Sequence, residues 1–186
     1  MNEAEKYELL YDQVPEYRDG SPGVGHLKRF KHYLSPRATI NIYGCGPGRA
    51  GRILAQRGHE VRMIDIARNA LEDSTIEYMM DADRLSFIAG DLGTMLGVMP
   101  PADFGYCCDV MEHIPTDRVE RVLQNIKYLT PNTYFAIAGQ PDGYGARIGQ
   151  TLHMTVKPFE WWQERLWKSQ TVSQSPSVFV FMCEGE

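Results

Sequence analysis

The sequence predicts an α/β fold, one domain built on a mostly parallel sheet with helices on both faces. Three observations carry that expectation. From residue 39 onward, short β-branched or aromatic runs alternate with helix-like stretches on short connections, the order that parallel β-α-β units require. Four of those runs close on a glycine turn or an aspartate, at Gly44, Asp65, Gly90-Asp91 and Asp109. The length, 186 residues, suits one domain at roughly 150 residues per domain.

Taken in order, Thr39–Tyr43 reads as the first strand, followed by the turn Gly44-Cys45-Gly46-Pro47-Gly48. A helix with Ile53 and Leu54 at its core follows and stops at Gly58. Val61–Ile64, Leu85–Ala89 and Phe104–Cys108 read as the next three strands. Asp117–Leu129 is the clearest helix: Val119, Val122, Leu123, Ile126 and Leu129 share one face, with Asp117 and Glu120 read as its cap. Thr133–Ala138 is a fifth strand, Pro158 opens a helix through Leu166, and Val178–Met182 is a final strand. Residues 1–38 stand apart as an N-terminal helical lid or substrate segment before a domain over 39–186. That segment holds a helix near Glu3–Tyr11, a turn at Asp19–Gly23 and a basic amphipathic piece at Leu27–Leu34. Residues 139–157 form a long loop with Gly139, Gly143, Gly145 and Gly149, and such loops usually serve function.

The formal net charge is −5, with 19 basic and 24 acidic side chains, and 43% of residues are hydrophobic. That composition is globular and excludes a disordered chain. No apolar run approaches the ~18 residues of a membrane span. The opening MNEAEKYELL lacks the layout of a signal peptide, so a cytoplasmic protein without a membrane partner is expected. Cys45, Cys107, Cys108 and Cys183 form no CxxC pair and read as reduced thiols. A pI near 5.6 argues against an extended nucleic-acid footprint, leaving a small-molecule or terminal acceptor as partner.

In an open parallel sheet, ligands bind beyond the carboxyl ends of the strands. A glycine turn there lets backbone approach a ligand, and Asp65, 21 residues beyond Gly44, is placed to accept hydrogen bonds from ribose hydroxyls. Asp91 could hold the exocyclic amine of an adenine. Singly, a glycine turn is often only a turn and a strand-end aspartate only a cap; together they favour a nucleotide site. The pattern GxGxxG at Gly46–Gly51 also admits a dinucleotide, against which stand Pro47, which removes an amide, and the lack of a further substrate region.

IYGCGPG, VRMIDIA, FIAGDL and YCCDVMEHIP, at 42–48, 61–67, 87–92 and 106–115, resemble successive motifs of class I S-adenosylmethionine-dependent methyltransferases. TLHMTVKPFEWW and YRDGSPG are similar to segments of short stand-alone members often encoded by bacteriophages and prophages. The resemblance implies a Rossmann-like, mostly parallel seven-stranded sheet. It also implies S-adenosylmethionine as cofactor, with Gly44, Cys45, Gly46 and Gly48 against its methionine part. Asp65 and Ile66 would then lie at its ribose, Gly90, Asp91 and Leu92 at its adenine, and Asp109 beside it. One position departs from the pattern: Ile42 stands where the family usually has an acidic residue.

If one helical turn follows the fourth strand, Asp109, Glu112 and His113 fall at i, i+3 and i+4 and converge. With His153 they could ligate Mg²⁺ or Mn²⁺, a layout similar to metal-dependent O-methyltransferases. The plainer expectation has no metal, with Asp109, His113 and His153 as the catalytic candidates and a histidine as base. Trp161 and Trp162 read as core and brace, Met79, Met80, Met95 and Met99 as core filling, and Lys28, Arg29 and Lys31 as a solvated face. Tyr7, Tyr11 and Tyr17 could line a lid or only anchor the first helix. The expected activity is transfer of a methyl group to a small or terminal acceptor, with oxygen favoured. The alternatives are a non-catalytic regulator that binds the same cofactor and an NAD(P)-dependent oxidoreductase.

Overall fold

The computed structural model describes residues 1–185; residue 186, the last of the expected domain 39–186, lies outside the described residues. Seven strands run β1 (Thr39–Tyr43), β2 (Glu60–Asp65), β3 (Leu85–Ala89), β4 (Phe104–Cys108), β5 (Thr133–Ala138), β6 (Ser169–Gln174) and β7 (Val178–Cys183). Their order in the sheet is β3-β2-β1-β4-β5-β7-β6. β1 to β5 pair in parallel, and β7 runs antiparallel to both β5 and β6. Strand order reverses between β1 and β4, so the carboxyl ends of those two strands mark the switch point where a crevice opens.

The helices are α1 (Glu3–Gln13), α2 (Pro15–Asp19), α3 (Pro22–Phe30), α4 (Arg49–Gln56), α5 (Asp73–Asp81), α6 (Val119–Leu129) and α7 (Phe159–Gln163). Alternate residues of the strands join two different cores, because successive side chains leave opposite faces of a sheet. Phe135, Ile137, Phe179 and Phe181 pack with Val122, Leu123 and Ile126 of α6 and Trp162 of α7. Tyr134, Ala136, Val180 and Met182 pack with Leu27 and Phe30 of α3 and Leu54 of α4. A third cluster joins Tyr7, Leu10 and Tyr11 of α1 to Ala67, Ala70 and Leu152. Gly51 lets α4 lie close on the sheet, since a Cβ there would collide with the Met63 thioether.

Several expectations change. β6 has no sequence signature, because an edge strand reading SQTVSQ buries almost nothing. α5 has no sequence signature for the same reason: Thr75 is its one buried residue. α6 begins at Val119, after a 3-10 turn over Thr116–Arg118, and its N-cap Arg118 makes no side-chain cap bond, so the Asp117–Glu120 cap does not form. α7 stops at Gln163 rather than Leu166. Arg165 and Leu166 both donate backbone N–H groups to the Trp162 carbonyl, which tightens the last turn. The expected turn at 19–23 is narrower, with Gly20 and Ser21 between α2 and α3, and α3 ends at Phe30. Met80 is 82% exposed and fills no core, whereas Met95 and Met99 are buried. Trp162 is buried, and Trp161 holds the Arg165 guanidinium 3.8 Å above its ring centre.

Candidate active site

At the switch point lies a cavity of about 340 Å³. Gly44, Cys45, Gly46, Asp65, Ile66, Gly90, Asp91, Leu92, Asp109, His113 and His153 line it, so residues from four strand ends and the 139–157 loop meet in one hollow. Gly48 does not. It caps α4 with φ +79° and packs against Leu71 and Thr75. The tight approach at Gly44, with φ +64° and the Val110 side chain where a Cβ would sit, explains why glycine follows β1. Ile42 lines the cavity as well.

Asp65 joins two of the motifs. Its Oδ2 accepts from the Gly46 N–H at 2.8 Å and its Oδ1 from Ala67 N–H at 3.0 Å. Burial pushes its pKa up, and these backbone bonds partly offset that. Each oxygen keeps lone-pair capacity for a ligand. Asp91 lies further along the same wall, with both oxygens 2.7 Å from Arg118 Nη2 and Oδ1 on the Gly93 N–H. Burial works to raise its pKa, but the Arg118 and Gly93 hydrogen bonds and the Arg118 charge outweigh it and hold the carboxyl below its usual range.

Beyond β4 the expected helical turn is absent. Asp109 has φ +60°, a strained left-handed backbone for a non-glycine residue, and a 3-10 turn over Met111–His113 follows. Asp109, Glu112 and His113 therefore do not share a helical face. Glu112 is fully buried, and its Oε1 accepts the Ala138 N–H at 2.9 Å. Its Oε2 has no hydrogen-bond partner. Burial, then the nearby Asp109 charge, push its pKa well up. One ring nitrogen each of His113 and His153 and a Glu112 oxygen lie within 4.8 Å of one another, and Asp109 is outside that group. The expected ligand set of four thus reduces to three.

The histidine rings meet edge to face, with centroids 4.7 Å apart. His153 Nδ1 lies 2.5 Å from the Gln140 carbonyl oxygen. His113 Nδ1 lies 2.8 Å from the Tyr7 hydroxyl, and burial, then its neighbour His153, pull its pKa down to about 4. Tyr7, Tyr11 and Tyr17 all line the cavity, so the aromatic face of α1 and α2 forms its roof.

Three partners were not foreseen. Arg18 donates to the carbonyls of Asn69, Ala70 and Leu71 and ties α2 to the loop after β2. Arg118 holds Asp91. Asp142 accepts N–H groups of Tyr144, Gly145 and Leu152, stapling the loop that carries His153. The Asp142-Gly143 pair is a turn signal, whereas arginines on helix ends carry no signal of their partners.

Residues 42–132 match the methyltransferase-domain family, a span that holds Gly44, Asp65, Asp91, Asp109, Glu112 and His113. That span resembles a methyltransferase domain. No curated protein matches the sequence. Among solved structures, this chain is similar to 1,6-didemethyltoxoflavin-N1-methyltransferase from Burkholderia thailandensis, solved with 1,6-didemethyltoxoflavin and S-adenosylhomocysteine. The two are 18% identical with a TM-score of 0.66, covering 100% of this chain and 92% of that one. A TehB-like S-adenosylmethionine-dependent methyltransferase from Corynebacterium glutamicum is 18% identical, with a TM-score of 0.64 and 98% of both chains covered. Magnesium protoporphyrin IX methyltransferase from Synechocystis, solved with S-adenosylhomocysteine, is 15% identical with a TM-score of 0.61, covering 97% and 93%. At these identities the likeness is one of fold. Among the described residues, no helix is long and apolar enough to cross a membrane.

Proposed function

We propose that this protein is a methyltransferase that transfers the methyl group of S-adenosylmethionine to a hydroxyl oxygen of a small or terminal acceptor, with His153 as general base. The observation that carries the reading is the hydrogen bond at Gln140. A carbonyl oxygen only accepts, so His153 Nδ1 carries the proton, and the lone pair is left on Nε2 in a ring that lines the cavity. The donor supplies an activated methyl group on a sulfonium. Asp65 would hold its ribose and Asp91 its adenine, with Gly44, Cys45 and Gly46 along its methionine part. The carboxylates of Asp65 and Asp109 suit the positive sulfonium. During transfer the acceptor oxygen forms a bond to the methyl carbon, the carbon–sulfur bond breaks with its electron pair staying on sulfur, and the hydroxyl proton passes to His153 Nε2. Most of the acceleration comes from alignment and exclusion of water, and the tyrosine roof serves both.

His153→Gln should lower methyl transfer by about 10²-fold or more while leaving affinity for S-adenosylhomocysteine within about twofold of wild type. Labelling cell extracts with a tagged methyl donor supplies the acceptor for that assay. Undiminished transfer by the variant would refute His153 as base. The phage or prophage type belongs to the same proposal on the motif resemblance alone, and a cytoplasmic setting belongs to it on the four free cysteines.

A second reading is favoured by the unpartnered Glu112 Oε2 beside two imidazoles. Glu112, His113 and His153 would there hold Mg²⁺ or Mn²⁺, and the ion would polarise the acceptor hydroxyl. Full activity in excess chelator would remove this reading. It requires both histidines to present lone pairs to the ion.

A further inference from the structure

We propose that Tyr7 is a positioning residue that donates its hydroxyl proton to His113 Nδ1. This fixes His113 as the Nε2–H tautomer, so that His113 and His153 form a donor–acceptor pair matched to a neutral hydroxyl group. The inference rests on the reading of His153 as base and adds what selects the acceptor and what completes the site.

The Tyr7 hydroxyl and His113 Nδ1 are 2.8 Å apart, and Tyr7 is 9% exposed. A phenol is a stronger donor than an imidazole N–H, and an imidazole nitrogen a stronger acceptor than a phenol oxygen, so the proton belongs on the tyrosine side. Burial keeps the Tyr7 phenol protonated and His113 neutral, which agrees with that assignment. His113 is then left with N–H at Nε2. His153 is fixed the other way by Gln140, with its lone pair at Nε2. Two adjacent rings in edge-to-face contact, one donating and one accepting, suit a group that accepts one hydrogen bond and gives one. A neutral hydroxyl does both. A carboxylate has no proton to give, and an ammonium has no lone pair to offer.

Tyr7 sits on α1, outside the sheet, and reaches His113 across 106 positions of sequence. α1 is held there by the cluster of Leu10, Tyr11 and Val14 with Ala67, Ala70 and Leu152, and by Asn69 Nδ2 donating to the Glu8 carbonyl and Asp12. Docking of α1 therefore both roofs the cavity and sets the tautomer beneath it, so the acceptor site is complete only with the helix in place.

Nitrogen NMR of protein carrying ¹⁵N-labelled histidine, with S-adenosylhomocysteine added and signals assigned through His113→Asn and His153→Asn, reads each tautomer without turnover. The expected result is a proton on Nε2 of His113 and on Nδ1 of His153. Tyr7→Phe should lose the fixed His113 tautomer and leave His153 unchanged. With an acceptor found by labelling, the same variant should lower methyl transfer by about tenfold, the worth of one hydrogen bond, at unchanged affinity for S-adenosylhomocysteine. A proton on His113 Nδ1 in the wild type overturns the proposal, even should Tyr7→Phe fail to fold, and so does an unaltered His113 tautomer in a folded Tyr7→Phe. The base assignment stands or falls separately, on transfer by His153→Gln.

Discussion

Asp65 spends both carboxylate oxygens on backbone N–H groups, and in doing so clamps the Gly46 turn to the end of β2. Removing it takes away the clamp and the carboxylate proposed to accept from the ribose together. Asp65→Ala should abolish calorimetric binding of S-adenosylmethionine and S-adenosylhomocysteine in a protein that keeps its circular dichroism. His113 ties the site to pH. Its folded pKa of about 4 lies below the ordinary value near 6.5, so on acidification the unfolded chain takes up a proton that the folded chain refuses. The stability it contributes is present above about pH 6.5 and is lost as pH falls toward 4, by roughly 1–3 kcal/mol. Denaturant titrations at pH 7 and pH 5 should therefore show a smaller acid loss in His113→Asn than in wild type. Glu112 and Asp65, with raised pKa values, act in the opposite direction in both proteins, so the difference isolates His113. Asp65 was legible as a strand-end residue, and His113 as part of the segment that follows the fourth strand. Arg118 on Asp91 was not, because an arginine 27 positions away leaves no periodic trace.

At the scale of elements, the turn after β1 and the roof over it respond to different forces. Gly44 combines φ +64° with a Val110 side chain in the place of a Cβ. Gly44→Ala should cost about 2–4 kcal/mol in urea unfolding, from strain plus overpacking. α1 is held by its apolar cluster with Ala67, Ala70 and Leu152, and α2 by polar ties, chiefly the Arg18 bonds to the carbonyls of residues 69–71 and the Arg147–Glu16 pair at 2.8 Å. Arg18→Ala should speed proteolytic nicking within residues 1–20 while the sheet stays protected from exchange, because the core lies elsewhere. The helical start at Glu3 was readable, and its Asn2–Glu5 capping box is formed. What α1 covers was not, since Tyr7 and Tyr11 suit a lid and an anchor equally well.

The whole molecule is a sheet with two apolar cores, interrupted at one end by a hollow that keeps polar groups. Phe135 lies fully buried in one core and edge to face with Trp167, so Phe135→Ala should lower stability by about 3–5 kcal/mol. S-adenosylhomocysteine at 100 times its Kd should raise it by about 2.7 kcal/mol, read as an upward shift in Tm that Asp65→Ala lacks. The sequence by itself determined β1 to β5 and β7 and the carboxylates that close several of them, because strands buried on both faces are continuous apolar runs and a strand end is punctuated locally by glycine or aspartate. Only the tertiary structure decided the polar edge strand β6 and the Tyr7–His113 and Arg118–Asp91 pairs. Their physical basis is proximity between distant segments, which burial and twist of the sheet create and which no local pattern of side chains encodes.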